Sequence, residues 1–228
     1  MNLLKEFCVE NMTLVPAAVR GGAHRIELCD NLAVGGTSPS YGVVRAAVSF
    51  AAEHGVALMV MCRPRGGDFI YDARERQMLL DDVRCARGLG ATGVVFGCLR
   101  HDARRCLELD TELVRALVDA AKGQPQGIAQ GKGPVQVTFH MAFDELDEQH
   151  QLAAIDELAA LGVDRVLTHG GAAGTPIANN YDRLRRLISY ASERVTILPG
   201  GGITWENADE VAHALGVTEV HGTKIVHL

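Results

Sequence analysis

The sequence predicts a single α/β domain, residues 1–228, folded as a TIM-like (β/α)₈ barrel that lacks its last helix. Two observations support this fold class. Eight short runs rich in Val, Ile and Leu alternate with segments of helical period, which is typical of βα units around a parallel sheet. Most helical segments are followed by glycine, the residue that most often closes an α-helix, and no helical segment follows the eighth run.

The eight predicted strands occupy residues 3–9, 24–29, 56–62, 92–98, 135–140, 164–168, 195–199 and 218–221. Each run is short, as expected of a buried strand rather than a helix. The seven predicted helices occupy residues 12–20, 40–54, 73–89, 110–122, 148–161, 181–192 and 205–214. Six of them are closed by Gly21, Gly55, Gly90, Gly123, Gly162 and Gly216.

An open, doubly wound sheet is the alternative architecture. It would normally carry a glycine-rich turn after its first strand, whereas residues 9–12 read Val-Glu-Asn-Met here. The barrel is therefore favoured. A stretch rich in Gly and Gln at 123–133 interrupts the alternation, and we expect a mobile loop there between the fourth helix and the fifth strand.

Composition excludes several classes of partner. The 22 Lys and Arg residues are dispersed and outnumbered by 28 Asp and Glu, so the chain lacks the basic surface that binds nucleic acid or anionic membranes. No run reaches the ~18 apolar residues of a membrane span and the N-terminus has no signal-peptide pattern, so we expect a cytoplasmic protein. The six cysteines form no CxxC pair, which favours reduced thiols over a disulfide framework or a zinc ribbon.

Side-chain alternation predicts which residues face the barrel lumen. In the first, second, fifth and eighth strands, one set of alternate positions is apolar and belongs against the outer helices. The other set is polar, and we place it in the lumen: Glu6, Cys8, Arg25, Glu27, Cys29, Gln136, Thr138, His140, Glu219 and His221. Buried charge is costly unless it is paired. So many ionisable groups indicate a functional site; the alternative is an internal ionic network that binds nothing.

The segment after the third strand has the composition of an anion-binding loop. It reads Arg-Pro-Arg-Gly-Gly-Asp-Phe over residues 63–69. The proline fixes the backbone between two arginines, whose planar guanidinium groups bind carboxylate or phosphate. We expect Arg63 and Arg65 to bind an anionic group of the ligand, with Asp68 orienting one of them. The alternative is a turn whose arginines pair with the glutamates of the first two strands.

Two further loops are suited to a phosphate group. Pro-Gly-Gly-Gly-Ile at 199–203 follows the seventh strand, and Thr223 follows the eighth. Barrels often bind phosphate with these two loops. We therefore predict an anion site formed by the backbone N–H groups of Gly200, Gly201 and Gly202, together with Thr223. The alternative is a tight turn between strand and helix.

Taken together, these motifs resemble the CutC family, which is named for copper homeostasis. Family members carry ELC at a strand end, a GG(L)TPS loop, RPRGGDF, VTFHRAFD, a PGGG-like turn and a final EVH or EIH strand. The matching segments are 27–29, 35–40, 63–69, 137–144, 199–203 and 219–221, in family order over nearly the whole chain. The resemblance implies a TIM-like barrel, a cytoplasmic location, a homo-oligomer (dimer or tetramer) and a role tied to copper.

Three positions depart from the family pattern. Met141 stands where the family has Arg in TFHRAFD, so this position supplies no cation. Ser38 replaces Thr and keeps the hydroxyl, and His169 replaces a residue that is commonly Ser. Asp144 closes the TFHxAFD motif and is included among the candidate site residues.

Copper binding is the first functional hypothesis. Copper in the cytosol is Cu(I), which prefers thiolate and thioether ligands. Cys8 and Cys29 occupy lumen-facing positions of adjacent strands and form the candidate metal site, whereas Cys62 and Cys98 fall on the opposite face. The alternative is that these cysteines serve only as small apolar residues.

An enzyme acting on a small anionic substrate, of hydrolase or lyase type, is the second hypothesis. Glu6 and Glu27 would lie ~5 Å apart if their strands paired them in register. At that distance they would form an acid/base pair or share a divalent metal ion. His140 and His221 are candidate general acid–base groups. The full candidate catalytic set is Glu6, Arg25, Glu27, Arg63, Arg65, Asp68, His140, Asp144 and His221.

Overall fold

The structure, a computed structural model, describes residues 3–123, 135–171 and 174–228. Its strands are β1 (Leu4–Glu10), β2 (Arg25–Cys29), β3 (Ala57–Met61), β4 (Gly93–Phe96), β5 (Leu99–His101), β6 (Leu107–Leu109), β7 (Gln136–Phe139), β8 (Arg165–Thr168), β9 (Thr196–Pro199) and β10 (Glu219–Gly222). Strands β5 and β6 form an antiparallel hairpin. The other eight form one parallel sheet in the order β10-β1-β2-β3-β4-β7-β8-β9, which confirms the predicted barrel.

The helices around the sheet are α1 (Val15–Arg20), α2 (Tyr41–His54), α3 (Ala73–Leu89), α4 (Thr111–Lys122), α5 (Glu148–Leu161), α6 (Tyr181–Ala191) and α7 (Ala208–Leu215). Short 3₁₀ helices span Leu32–Val34, Met141–Glu145 and Ile177–Asn180. Capping explains several of the bounds. Asp72 accepts hydrogen bonds from the backbone N–H groups that begin α3, and Gly90 ends that helix in the left-handed conformation that glycine adopts without strain.

β9 and β10 are the two edges of the sheet, and the described residues of these strands form no ladder with each other. The segments that follow them are joined, because the backbone N–H of Trp205 donates to the carbonyl of Lys224 at 2.7 Å, which leaves the barrel nearly closed. Within the described residues no helix follows β10, as the sequence predicts. Instead Ile225 and Val226 are buried, and the chain passes so close to Gly21 that a Cβ there would lie 2.5 Å from the carbonyl oxygen of His227.

Apolar side chains separate into two groups on the two faces of the barrel wall. The large group packs between the sheet and the helices and includes Phe7, Ile26, Cys62 and Cys98. The small group lies in the lumen and consists of Cys8, Cys29, Met59, Met61 and Val95. This division confirms the predicted alternation, including the assignment of the four cysteines.

One element was missed by the sequence analysis, which extends the fourth strand to residue 98. The barrel strand ends at Phe96, and the chain then turns outward into the β5–β6 hairpin. Gly97 permits this exit, because a Cβ there would lie 2.4 Å from the ring of His140. Most of the predicted loop at 123–133 lies outside the described residues. Among those described, no helix is both long and apolar enough to cross a membrane.

Candidate functional site

A charged network fills the lumen toward the N-terminal ends of the strands. Glu6, fully buried, pairs through Oε2 with Arg25 and accepts a hydrogen bond from His221 Nδ1 through Oε1 at 2.8 Å. Arg25 and Arg165 both donate to Glu219 Oε2, at 2.8 and 2.7 Å. Burial alone would raise the pKa of Glu6, but Arg25 and His221 outweigh it and lower the pKa to about 2. Glu6 is therefore an ionised, paired carboxylate beneath the mouth.

The strand register corrects the predicted glutamate pair. Glu6 lies opposite Arg25, and Glu27 lies opposite Cys8, so the two carboxylates are offset along the strands rather than in register. His221 stands between them, with Nε2 4.0 Å from Glu27 Oε1. Glu6 and Arg25 do not line the cavity at the mouth, and both are engaged in ion pairs. The geometry therefore does not bring them to the mouth with Glu27.

Four side chains form what we call the thiol cluster: Cys8, Cys29, Glu27 and His221. The two sulfur atoms lie 3.9 Å apart, and both thiols approach Glu27 Oε1, at 3.3 Å from Cys8 and 3.6 Å from Cys29. The adjacent Cys29 thiol and burial hold the pKa of Cys8 well above its usual range. The hydrogen bond with Cys8 lowers the pKa of Cys29, but burial and the charge of Glu27 outweigh it and raise the pKa to about 11. Both groups are therefore protonated thiols near neutral pH.

The charged members of the cluster are also perturbed. Burial raises the pKa of Glu27, and the nearby Glu6 charge adds to this effect against the opposing charge of His221. Burial disfavours protonated His221, but Glu27, Cys8 and Glu6 outweigh it and raise its pKa well above the ordinary value. Glu27 Oε2 is buried and has no hydrogen-bond partner among the described residues. The cluster thus contains an acceptor that nothing in the described chain satisfies.

The donor set of this cluster fits a soft metal ion. One ligand atom each from Cys8, Glu27 and His221 lies within 4.8 Å of the others, and Cys29 adds a second sulfur. With the ~2.3 Å metal–sulfur bonds known for zinc, sulfurs at this separation can share one ion with an angle of ~115° between the bonds. Met61 packs in the same lumen group. Thiolate and thioether ligands favour Cu(I), whereas oxygen-seeking divalent ions are poorly matched.

A cavity of about 750 Å³ opens above the thiol cluster at the C-terminal ends of the strands. Its floor includes Cys8, Glu27 and His221, and its wall includes Arg63 and His140. This end of a barrel is where barrel enzymes build their sites. The structure therefore brings eight of the predicted site residues together at one mouth: these five with Gly201, Gly202 and Thr223.

Comparison with known proteins identifies the family. The sequence profile of the CutC family matches residues 3–226. The chain belongs to the CutC family. It is 50% identical over 224 residues to a CutC family protein of Enterococcus faecalis, covering 98% of this chain and 100% of that protein. It is 39% identical over 222 residues to the human copper homeostasis protein cutC homolog, covering 96% of this chain and 72% of the human protein.

Solved structures agree on the fold. The crystal structure of CutC from Streptococcus agalactiae matches with a TM-score of 0.87 and 39% identity, covering 98% of this chain and 100% of that one. Deoxyribose phosphate aldolase from Aeropyrum pernix matches with a TM-score of 0.66 and 15% identity, covering 97% and 86% of the two chains. The aldolase likeness shows the barrel fold alone.

The arginines of the CutC loop at 63–69 have different surroundings. Arg65 donates to Glu75, to Asp68 and to the carbonyls of Gly66 and Ile70, which engages all of its N–H groups. Arg65 was expected to bind an anionic group of the ligand, but none of its N–H groups is free for one. Neither Arg65 nor Asp68 lines the cavity at the mouth. Their ion pairs hold the loop against the start of α3.

The glycine turn after β9 differs at one residue from the anion site predicted there. Gly200 cannot offer its N–H to a ligand, because that N–H donates to the carbonyl of Thr168 at 3.0 Å. Gly201 and Gly202 line the cavity with Thr223, and their φ angles of 82° and 75° suit glycine. The anion site predicted here is therefore restricted to these three residues.

Asp144 organises the backbone between β7 and β8. Its Oδ1 accepts a hydrogen bond from Thr168 Oγ1, and its Oδ2 accepts one from the N–H of His169 at 2.9 Å. It lines a smaller neighbouring cavity rather than the one above the thiol cluster. Met141, which replaces the family arginine, lines both cavities.

Several residues that line the cavity were not predicted from the sequence, among them one methionine and two loop residues. Met61 ends β3 on the lumen face, and the alternation of that strand could have revealed it. Phe69 and Lys224 also line the cavity. They lie on loops, where no periodicity indicates which way a side chain points.

Proposed function

We propose that this CutC family member binds Cu(I) in the cytoplasm through Cys8 and Cys29, with His221 and Glu27 completing the site. The observation that carries the proposal is the pair of sulfur atoms 3.9 Å apart at the floor of an open cavity. Cu(I) prefers sulfur ligands, and the reducing cytosol keeps thiols available. Because both thiols are protonated in the free protein, binding releases protons and strengthens as pH rises.

Anaerobic Cu(I) titration against a chromophoric competing chelator tests this proposal. Wild type is expected to take up one tightly bound equivalent, and the Cys8→Ala/Cys29→Ala variant is expected to lose it. Cys85→Ala/Cys106→Ala is the matched control, because these cysteines lie outside the lumen, one half-buried and one exposed. Equal Cu(I) affinity in wild type and the Cys8→Ala/Cys29→Ala variant would remove the proposed site.

Catalysis on a small anionic substrate is a second candidate function. It is favoured by the unpartnered Oε2 of Glu27, whose raised pKa suits proton transfer, at the floor of a cavity that also presents Arg63. Incubation of copper-free protein with phosphorylated and carboxylated metabolites, followed by mass spectrometry, tests it. Consumption of a compound by wild type but not by Glu27→Gln supports catalysis, and no consumption of any compound opposes it.

The oligomeric state of the protein is part of the same proposal. We expect a homo-oligomer, dimer or tetramer, as the family resemblance implies. Light scattering on the purified chain measures this directly, and a monomer at all concentrations would contradict the expectation.

A further inference from the structure

Arg63 is a buried cation without a counter-charge. Its side chain donates to the carbonyls of Val34, Gly36 and Gly67, at 2.9, 3.0 and 2.8 Å, and forms no ion pair with any carboxylate in the described part of the chain. The residue is only 4% exposed, and its Nε has no partner. A buried charge is costly unless a group of opposite sign pairs with it. The described chain therefore supplies no counter-charge to Arg63.

His140 offers a second unused donor on the same wall. Its Nδ1 accepts a hydrogen bond from the N–H of Ala142 at 3.1 Å, so the proton of the neutral ring is on Nε2. Burial and the charge of Arg63 lower the pKa of His140 to about 3, which keeps the ring neutral. Nε2 is buried and has no partner among the described residues. Neutral His140 thus has an N–H group that no described residue accepts.

Phe69 connects these two donors into one surface. Its ring lies 4.8 Å from the Arg63 guanidinium carbon and 5.0 Å from the centre of the His140 ring. All three side chains line the 750 Å³ cavity. That volume is in the range of pockets that bind small organic molecules, ~300–1,000 Å³.

We propose that the wall formed by Arg63, Phe69 and His140 binds the oxyanion group of a small organic ligand, a carboxylate or a phosphate monoester. Arg63 supplies the charge and the Nε–H donor, His140 supplies the Nε2–H donor, and Phe69 packs against the carbon skeleton. Because Nε and Nε2 are not engaged by the protein, the ligand gains both hydrogen bonds without displacing an internal one. This site is distinct from the thiol cluster and does not require copper.

Two pairs of probes test the proposal by calorimetry on copper-free protein at pH 7. Glycerol 3-phosphate is compared with glycerol, and butyrate with 1-butanol, so that each pair differs by its anionic group. We expect the anionic member of at least one pair to bind and its neutral partner to be silent. Which anion binds separates phosphate from carboxylate recognition. Silence of both anions, or equal binding of a neutral partner, would overturn the proposal.

Three variants assign the binding to this wall. His140→Asn keeps a side-chain acceptor for the N–H of Ala142 and replaces the Nε2–H donor with a shorter amide that does not reach its position. It is therefore expected to fold and to weaken the affinity for the anion by ~10-fold or more. Arg63→Lys keeps the positive charge but loses the planar guanidinium and its several N–H donors. We expect a similar loss of affinity for the anion. Arg65→Lys is the matched control and should bind as wild type does. Unchanged affinity in a folded His140→Asn variant would overturn the assignment.

Testing each variant in the other binding assay distinguishes this proposal from the copper proposal. His140→Asn should bind Cu(I) as wild type does, and Cys8→Ala/Cys29→Ala should bind the anion as wild type does. Loss of anion binding in the folded double cysteine variant would contradict a distinct site.

Discussion

Replacing Glu6 by Gln removes the charge that joins the two halves of the buried ionic network. The substitution keeps the size and shape of the side chain. It leaves the Arg25 guanidinium to share Glu219 with Arg165, and it removes the carboxylate bonded to His221 Nδ1. One buried positive charge then lacks its counter-charge.

The expected cost is large for a single isosteric change. Removing one partner of a buried ion pair typically costs ~3–5 kcal/mol. The lowered pKa of Glu6 has the same sign, because, despite burial, Arg25 and His221 favour the ionised carboxylate in the folded protein. A wild-type stability above ~5 kcal/mol, within the usual ~5–15 kcal/mol, leaves the variant folded.

Urea unfolding of wild type and Glu6→Gln measures this loss at pH 6. Asp182→Asn is the control, because it removes the same charge from a side chain that is 93% exposed and paired with Arg185. The control should lose less than ~1 kcal/mol. A loss in Glu6→Gln no larger than in Asp182→Asn would refute the assignment of Glu6 to a stabilising network.

The stability of the folded protein should fall toward both acid and alkaline pH, for a different reason in each direction. In the folded protein the pKa of Glu6 is lowered, so Glu6 contributes fully to the free energy of unfolding above pH 4.5. That contribution is lost as pH falls toward 2. The folded pKa of His221 is raised, so its contribution is full below pH 6.5 and is lost as pH rises through the folded pKa. Wild type should therefore gain stability from both groups between these limits. Glu6→Gln should flatten the acid side of the curve.

The remaining predictions concern the lumen and the loop after β3. Gly93→Ala should cost several kcal/mol in urea unfolding, because its Cβ would lie 2.4 Å from Met59 Sδ and 2.7 Å from the carbonyl of Gln136. Gly42→Ala, on the open face of α2, should instead stabilise by ~0.5–1 kcal/mol, and a similar loss in both variants would contradict this. Arg65→Ala should lower the melting temperature by a few degrees without weakening ligand binding in the cavity, whereas loss of binding in a folded variant would restore its predicted ligand role.

Hydrophobic periodicity explains which parts of the fold could be predicted from the sequence. Alternating apolar runs located all eight barrel strands and assigned Cys8 and Cys29 to the lumen correctly. The β5–β6 hairpin was missed because an apolar run does not show where a strand leaves the barrel. The structure shows that Gly97 lies at that point, so close to His140 that a Cβ would clash with its ring.

The features of the site that could not be predicted depend on strand register and on loop geometry. Alternation tells which face a residue takes but not its height along the barrel, so Glu6 and Glu27 were placed side by side although the register offsets them. Likewise, the sequence cannot show that Arg65 folds back onto Glu75 while Arg63 lines the cavity. These outcomes depend on contacts between residues distant in sequence.

X-ray absorption at the copper edge, on protein loaded anaerobically with one equivalent of Cu(I), tests the proposed site most directly. Wild type should show sulfur in the first coordination shell, from Cys8 and Cys29. Cys8→Ala/Cys29→Ala, loaded in the same way, should lose those scatterers. A first shell of nitrogen and oxygen alone in wild type, or unchanged sulfur in the double variant, would contradict copper binding at the floor of the barrel mouth.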